Sequence, residues 1–181
     1  SGGDDTLRLW DAESGRLIWR QTIDHGAGRS VTFSRDGRQL ISSEYEGFRV
    51  RDAGTGRVVR TLKDMGTGGG VFSPDDRSIA AIVSGEATGA AGDIIKVLPA
   101  DGNARSLVLS GHLGTVRSLE YTQDGKALLS AGEDGSVRVW NARDGRLIAS
   151  LFSFIDGEWV ALTPDGFFDA SPNGAKALTV V

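Results

Sequence analysis

Apolar and polar residues alternate along this chain in short runs, and Gly and Asp cut the runs at regular intervals. Val116 to Thr122, Ala127 to Ala131, Val137 to Trp140 and Leu147 to Phe152 are four such runs in succession. A period of two over four to eight residues, with β-branched and aromatic enrichment and Asp-Gly pairs at the borders, predicts antiparallel strands joined by tight hairpins. Gly at the borders supplies the left-handed backbone such turns need. The unit this predicts has four strands.

The unit recurs. Asp11-Ala12-Glu13-Ser14-Gly15-Arg16-Leu17-Ile18 aligns with Asp52-Ala53-Gly54-Thr55-Gly56-Arg57-Val58-Val59 and with Asn141-Ala142-Arg143-Asp144-Gly145-Arg146-Leu147-Ile148. A degenerate copy, Pro99-Ala100-Asp101-Gly102, falls between the last two, so the turn glycines at 15, 56, 102 and 145 are spaced by 41, 46 and 43 residues. A second series has the same period: Asp36-Gly37, Asp75-Asp76, Asp124-Gly125 and Asp165-Gly166, following Phe33-Ser34, Phe72-Ser73, Tyr121-Thr122 and Leu162-Thr163. A period of 20 to 50 residues marks a repeat architecture.

Composition narrows the class. Gly makes up 26 of 181 residues, about twice the ordinary share, which disfavours helices because Gly in a helix interior costs about 1 kcal/mol relative to Ala. With 39% hydrophobic and 24% charged residues the chain is expected to fold as a globular protein. The net charge of −4 leaves no global basic field for a nucleic-acid backbone. The chain has no Cys and two His, which excludes disulfides, a Cys nucleophile and thiolate or His-rich metal sites. No cofactor or metal is expected. No apolar run approaches the ~18 residues of a membrane span and no signal peptide opens the chain, so a soluble, cytoplasmic protein with no membrane partner is expected.

A four-stranded unit of about 42 residues with Gly-His near its start and Trp-Asp near its end resembles the WD-repeat family of β-propellers. From Ser110 the chain reads SGHLGTVRSLEYTQDGKALLSAGEDGSVRVWNARDGRLIASL, with Asn141 where Asp is usual, and Ser1 to Gln21 resembles the second half of such a repeat, including Trp10-Asp11. The other copies are more divergent: Arg51 stands where Trp would be, Leu98-Pro99 replaces the pair in the next repeat, and His25-Gly26 is an inverted Gly-His. The resemblance implies an all-β fold of four-stranded antiparallel blades, about four repeats in all, as a partial or oligomeric propeller. The expected units are a partial blade 1–23, blades 24–65, 66–109 and 110–153, and a partial blade 154–181.

In that family a His before the first strand, a Ser or Thr on the second, an Asp in the following turn and a Trp on the third form a hydrogen-bonded group within the blade. His112, Ser130, Asp134 and Trp140 occupy those positions. The residue types also suit a catalytic triad, but a buried Ser satisfied through His is closed to substrate, and no G-x-S-x-G elbow is present. His25 reads as a shifted copy of the same structural His. Asp4-Asp5 and Asp75-Asp76 read as turn residues rather than a carboxylate dyad or Ca²⁺ site. Gly66-Thr67-Gly68-Gly69-Gly70 lacks the Lys-Ser/Thr ending and following helix of a phosphate loop. Residues 85–93 (GEATGAAGD) read as an elongated hairpin loop.

The ends fall inside repeats, with Trp159 to Val181 expected to open a further blade. Seven blades need about 290 residues, so three readings stand: a slice of a longer propeller, a small ring closed by the two ends, or two copies sharing one ring, with open strand edges as self-association sites. Gly157 to Leu178 (GEWVALTPDGFFDASPNGAKAL) also resembles the closing blade of bacterial WD-repeat proteins, some carrying a caspase-like peptidase or other effector module; any catalytic residues would then lie outside this chain.

Propeller loops on a rigid ring suit a non-enzymatic interaction scaffold or regulatory propeller with a protein or peptide partner. By resemblance the contact positions are Arg29, Tyr45, Thr115, Arg117, Glu133 and Glu158, with Arg and Tyr typical interface anchors. The alternative is a hydrolase-like propeller enzyme with a site in the central channel, which requires convergent titratable groups in one pocket.

Overall fold

The computed structural model describes residues 5–23, 30–44, 47–63, 68–101 and 106–178. Among the described residues sixteen strands form four antiparallel sheets. The first sheet pairs β1 (Thr6–Trp10) with β2 (Leu17–Thr22). The second has β3 (Val31–Phe33), β4 (Gln39–Glu44), β5 (Gly47–Asp52) and β6 (Val58–Lys63) in sequence order. The third is built the same way from β7 (Gly70–Phe72), β8 (Ser78–Val83), β9 (Ile94–Pro99) and β10 (Leu107–Leu109). The fourth contains β11 (Val116–Tyr121), β12 (Ala127–Gly132), β13 (Ser136–Asn141) and β14 (Leu147–Ser153), and continues through β15 (Trp159–Leu162) and β16 (Phe168–Ala170). This is the architecture of a partial WD-repeat β-propeller.

Three copies of the first repeated motif build turns with the same backbone hydrogen bond. The amides of Asp11, Asp52 and Asn141 donate to the carbonyls of Arg16, Arg57 and Arg146 at 2.9, 2.9 and 2.8 Å. Their side-chain oxygens accept local backbone amides, from Ser14 at 2.7 Å, Thr55 at 2.9 Å and Arg143 at 2.9 Å, in the manner of Asx turns. Three copies of the second motif are alike, while in the fourth Thr163 Oγ1 donates to the Phe167 carbonyl at 3.3 Å. Ser34, Ser73 and Thr122 donate their hydroxyls to Asp36, Asp75 and Asp124 at 2.8, 2.6 and 2.7 Å. The next residue takes a positive φ: Gly37 at 68°, Gly125 at 69°, and in the third sheet Asp76 at 58°.

The sheets stack face to face, and the core lies in the seams. Leu7 and Ile23 pack on Leu40 of β4. Ile41, Phe48, Val50 and Leu62 of the second sheet meet Phe72, Ile79, Ala81 and Leu98 of the third. Ala80, Ile82, Ile95, Val97 and Leu109 meet Val116, Leu119, Tyr121, Leu128 and Trp140 of the fourth. The third sheet is therefore covered on both faces, and β8 (SIAAIV) is buried at five consecutive positions. A strand buried on both faces shows a continuous apolar run rather than alternation, which is why this repeat departs from the period of two. Polar links cross the seams: Trp19 Nε1 donates to the Ala53 carbonyl and Thr32 Oγ1 to that of Gly70, both at 2.8 Å, and the Arg60 guanidinium reaches the Ala100 carbonyl.

Two segments differ from the sequence reading. Residues 85–93, read as an extended hairpin loop, contain a one-turn helix α1 (Gly85–Thr88) ended by Gly89 in the left-handed region. Asp93 staples this insertion to the next sheet, its Oδ1 accepting the Gly85 amide at 3.1 Å and its Oδ2 the Val116 amide at 3.0 Å. The partial blade read at 154–181 is not a separate sheet over the described residues. The Phe154 amide bonds the Glu158 carbonyl at 2.9 Å and Gly157 takes φ 84°, closing a hairpin, so β15 pairs with the outer edge of β14 (Ser150 with Leu162, Phe152 with Val160). A free outer edge with unpaired amides accepts such a strand readily. Val181 lies outside the described residues.

Candidate functional site

The polar residues of the fourth sheet form one continuous chain of hydrogen bonds. Trp140 Nε1 on β13 donates to Ser130 Oγ on β12 at 2.8 Å, Ser130 Oγ lies 2.7 Å from His112 Nε2, and His112 Nδ1 lies 2.9 Å from Asp134 Oδ2. The directions are mutually consistent when His112 carries its proton on Nδ1: indole to hydroxyl, hydroxyl to imidazole, imidazole to carboxylate. Asp134 also accepts the Leu113 amide at 3.0 Å, the Ser136 amide at 3.1 Å and Ser136 Oγ at 2.7 Å. Burial alone would raise the Asp134 carboxyl, but the bonds from Ser136, Leu113 and His112 outweigh it and hold the group well below the usual carboxylate range. Ser130 is 1% exposed and His112 3%. A nucleophile sealed this way, with its hydroxyl already donating to His and accepting from Trp, has no face to offer a substrate.

The second sheet holds an ionic counterpart. Arg51 stands opposite Leu40 as Trp140 stands opposite Leu128, and Ser42 lies two residues beyond Leu40 as Ser130 lies beyond Leu128. Arg51 Nε donates to Ser42 Oγ at 3.2 Å, Nη1 to the Gly56 carbonyl at 3.0 Å, and Nη2 to Glu44 Oε1 at 2.6 Å. Ser42 Oγ donates to the same Glu44 oxygen at 2.9 Å, and Arg49 Nε faces Glu44 Oε2 at 2.9 Å. Glu44 was not singled out from the sequence. The available signal was Arg51 in a Trp position, since a buried guanidinium demands an acid nearby.

At one end of the fourth sheet three of the contact positions read from the sequence come together. Glu133 lies in the β12–β13 turn with its amide bonded to the Thr115 carbonyl at 2.8 Å, and Arg117 Nε donates to Glu133 Oε1 at 2.9 Å. Bonding to Arg117 and Thr115 lowers the Glu133 carboxyl. The Arg117 side chain is 67% exposed and that of Glu133 49%, so the pair is displayed to solvent. Glu158 sits at the same end of the sheet in the β14–β15 turn and has other partners: Ser171 Oγ and the Asn173 side chain and amide donate to it and lower its carboxyl. Arg29, Tyr45 and His25 lie outside the described residues.

Among the described residues no group of three His, Asp or Glu is placed to hold a metal ion, and no helix is long and apolar enough to cross a membrane. Asp75 and Asp76 are both engaged at the β7–β8 turn, Asp76 Oδ1 and Oδ2 accepting the amides of Arg35 and Asp36 at 2.7 and 3.1 Å. That link between neighbouring turns was not legible in the sequence, where Asp76 reads only as a turn residue.

Residues 104–141 match the family model described as WD domain, G-beta repeat. Among curated proteins, the chain is 29% identical over 149 residues to WD repeat-containing protein SL1-17 of Schistosoma mansoni, covering 80% of the chain and 46% of that protein. It is 26% identical over 176 residues to pre-mRNA-processing factor 19 homolog 2 of Arabidopsis thaliana (93% and 32%), and 30% identical over 149 residues to cell division cycle 20.5, cofactor of APC complex, of Arabidopsis thaliana (77% and 30%). The chain spans less than half the length of these relatives. A matched WD repeat, similarity to a WD repeat-containing protein and the stack of four-stranded antiparallel sheets support a WD-repeat family for this chain.

Proposed function

We propose that the chain is a non-catalytic interaction platform within a longer protein, which engages a protein partner through the rim where Thr115, Arg117 and Glu133 meet, with Arg29, Tyr45 and Glu158 as further contacts. The observation that carries this reading is the contrast between the two polar groups of the fourth sheet: His112, Ser130, Asp134 and Trp140 are turned inward and satisfied, whereas the Arg117–Glu133 pair is presented to solvent on a rigid sheet end. The inward group serves the fold and ties β12, β13 and the β12–β13 turn together. Relatives of this kind, named as a cofactor of the APC complex and as pre-mRNA-processing factors, support action through protein partners. The blades are taken as 24–65, 66–109 and 110–153. A bacterial origin, an attached effector module, a cytoplasmic setting and self-association through the free strand edges belong to the same proposal; the first two rest on the resemblance of residues 157–178 alone. Nucleic acid is not a partner in this reading because the net charge is −4.

The test is an Arg29→Glu/Arg117→Glu chain immobilised beside the unaltered one, with folding compared by circular dichroism. Loss of a captured partner from the variant is expected. Unchanged retention overturns the rim assignment.

A further inference from the structure

A groove lies at the other end of the same strands. The β11–β12 turn (122–126) stands about 17 Å from the rim, given the rise of about 3.3 Å per residue along β11. Together with the β7–β8 and β13–β14 turns it walls a cavity of about 670 Å³ lined by Arg35, Pro74, Tyr121, Lys126 and Arg143, among others. A second cavity of about 340 Å³ shares Arg35, Ser73, Pro74, Tyr121 and Gln123 with the first and runs on to Phe33 and Val71. The two make one elongated groove across the seams of three sheets, in the size range of ligand sites.

The lining has a polarity. The chain as a whole carries −4, yet the larger cavity has three cations, Arg35, Lys126 and Arg143, against the acids Asp75 and Asp124. Both acids are engaged in their own turns: Asp75 accepts Ser73 Oγ and the Arg77 amide at 2.6 and 3.1 Å, and Asp124 accepts Thr122 Oγ1 and the Lys126 amide at 2.7 and 3.0 Å while its other oxygen faces Lys126 Nζ at 3.6 Å. Arg35 and Arg143 carry no ion pair among the described residues. The turn bearing Arg35 is fixed by its two amides on Asp76, so this guanidinium projects from a rigid base. Tyr121, 7% exposed, lines both cavities, and its hydroxyl has no hydrogen-bond partner among the described residues. The far end is apolar, with Phe33 46% exposed, and holds the acid Glu120.

We propose that this groove receives an extended segment of a partner protein, with an apolar side chain against Phe33 and Val71 and the acidic side chains that follow it on Arg35 and Arg143. Guanidinium forks match carboxylates in a bidentate geometry. Glu120 at one end and the cations at the other set the direction in which the segment lies. The site is separate from the rim, so a partner held there leaves Arg117 and Glu133 free for a second one.

The proposal is tested by fluorescence anisotropy of a fluorescein-labelled Phe-Glu-Glu-Glu-Glu-Glu peptide titrated with the full chain at low ionic strength. Saturable binding is expected, weakened at least tenfold in an Arg35→Glu/Arg143→Glu chain and lost when the glutamates of the peptide are replaced by lysines. An Arg16→Glu/Arg20→Glu chain undergoes the same change of net charge away from the groove and is expected to bind as the unaltered chain does. Absence of saturable binding overturns the proposal, as does equal weakening by the two double variants or binding that survives Arg35→Glu/Arg143→Glu. Both groove arginines are exposed, and circular dichroism confirms that the variant is folded. Arg117 and Arg29 take no part in this assay, so its failure and that of the rim reading are told apart.

Discussion

Arg51 closes on Glu44 at 2.6 Å, with both side chains almost wholly buried, at the place in the second sheet where the fourth sheet has an indole against a serine. Ser42 and Ser130 accept a hydrogen bond from the facing strand in both sheets, so the geometry is kept while the chemistry changes from neutral to ionic. An indole N–H needs one acceptor. A guanidinium needs several, together with a counter-charge, and Glu44, Ser42 and the Gly56 carbonyl supply them.

Removing one partner of a buried ion pair strands the other. Arg51→Ala is expected to cost about 3–5 kcal/mol, whereas the paired change Glu44→Leu/Arg51→Met is expected to cost far less. Urea unfolding with an unchanged slope checks both, and equal losses for the single and paired changes would show that the ion pair is not what holds this sheet.

Trp140 is 2% exposed and belongs to the core between the third and fourth sheets. Trp140→Ala is expected to destabilise by about 3–5 kcal/mol. Ser130→Ala leaves the Trp140 indole N–H and His112 Nε2 without a partner, and each such buried group costs about 1–3 kcal/mol. A thermal midpoint unmoved by either change contradicts the hydrogen-bond chain described above.

Asp134 gives the fourth sheet a dependence on acid. Its carboxyl is lowered in the folded chain, so its contribution is complete above the unfolded value of about 3.9 and is lost as pH falls through the lower folded value. Asp134→Asn is expected to flatten the acid limb of a stability–pH curve and to leave its shape above neutrality unchanged. An acid limb of the same slope in the variant counts against this role.

At Asp76 two effects oppose each other. The φ of 58° favours Gly, but the carboxylate holds the Arg35 and Asp36 amides of the neighbouring sheet. Asp76→Gly relieves the backbone and loses the bonds, so its net effect is expected to stay within about 1 kcal/mol. Asp76→Ala keeps the strain and loses the bonds, and is expected to be the worse of the two by about 1 kcal/mol. Guanidinium unfolding of the three chains ranks them, and Ala at or above Gly refutes the account.

The motif around Gly15, Gly56 and Gly145 determined three turns with one backbone hydrogen-bond pattern, because each contains its own αL residue and its own side-chain acceptor within five positions. Strand type, turn positions and the four-stranded unit were legible for this reason: each is local, or is carried by a motif that recurs at a fixed spacing. The His112–Ser130–Asp134–Trp140 group was legible only through the family resemblance, since the second sheet has Arg51 and Glu44 in its place. Of the contact positions that the resemblance implies, Thr115, Arg117 and Glu133 meet at one sheet end, whereas Glu158 bonds to Ser171 and Asn173; that Arg117 and Glu133 pair was not legible in the sequence.

What the sequence could not decide depends on which sheet faces which. Glu44 is an ordinary strand-end acid until stacking buries it beside Arg51, and Asp76 is a turn residue until the next sheet's turn comes within 3.1 Å. The same holds for β15. Read from the sequence as opening a further blade, it pairs instead with β14, because a strand's hydrogen-bond donors bind whatever free edge the tertiary arrangement brings to them. Period and turn chemistry are properties of neighbouring residues, and they specified the strands; burial and edge pairing arise only between sheets, and they determined which charged groups became structural and which remained at the surface.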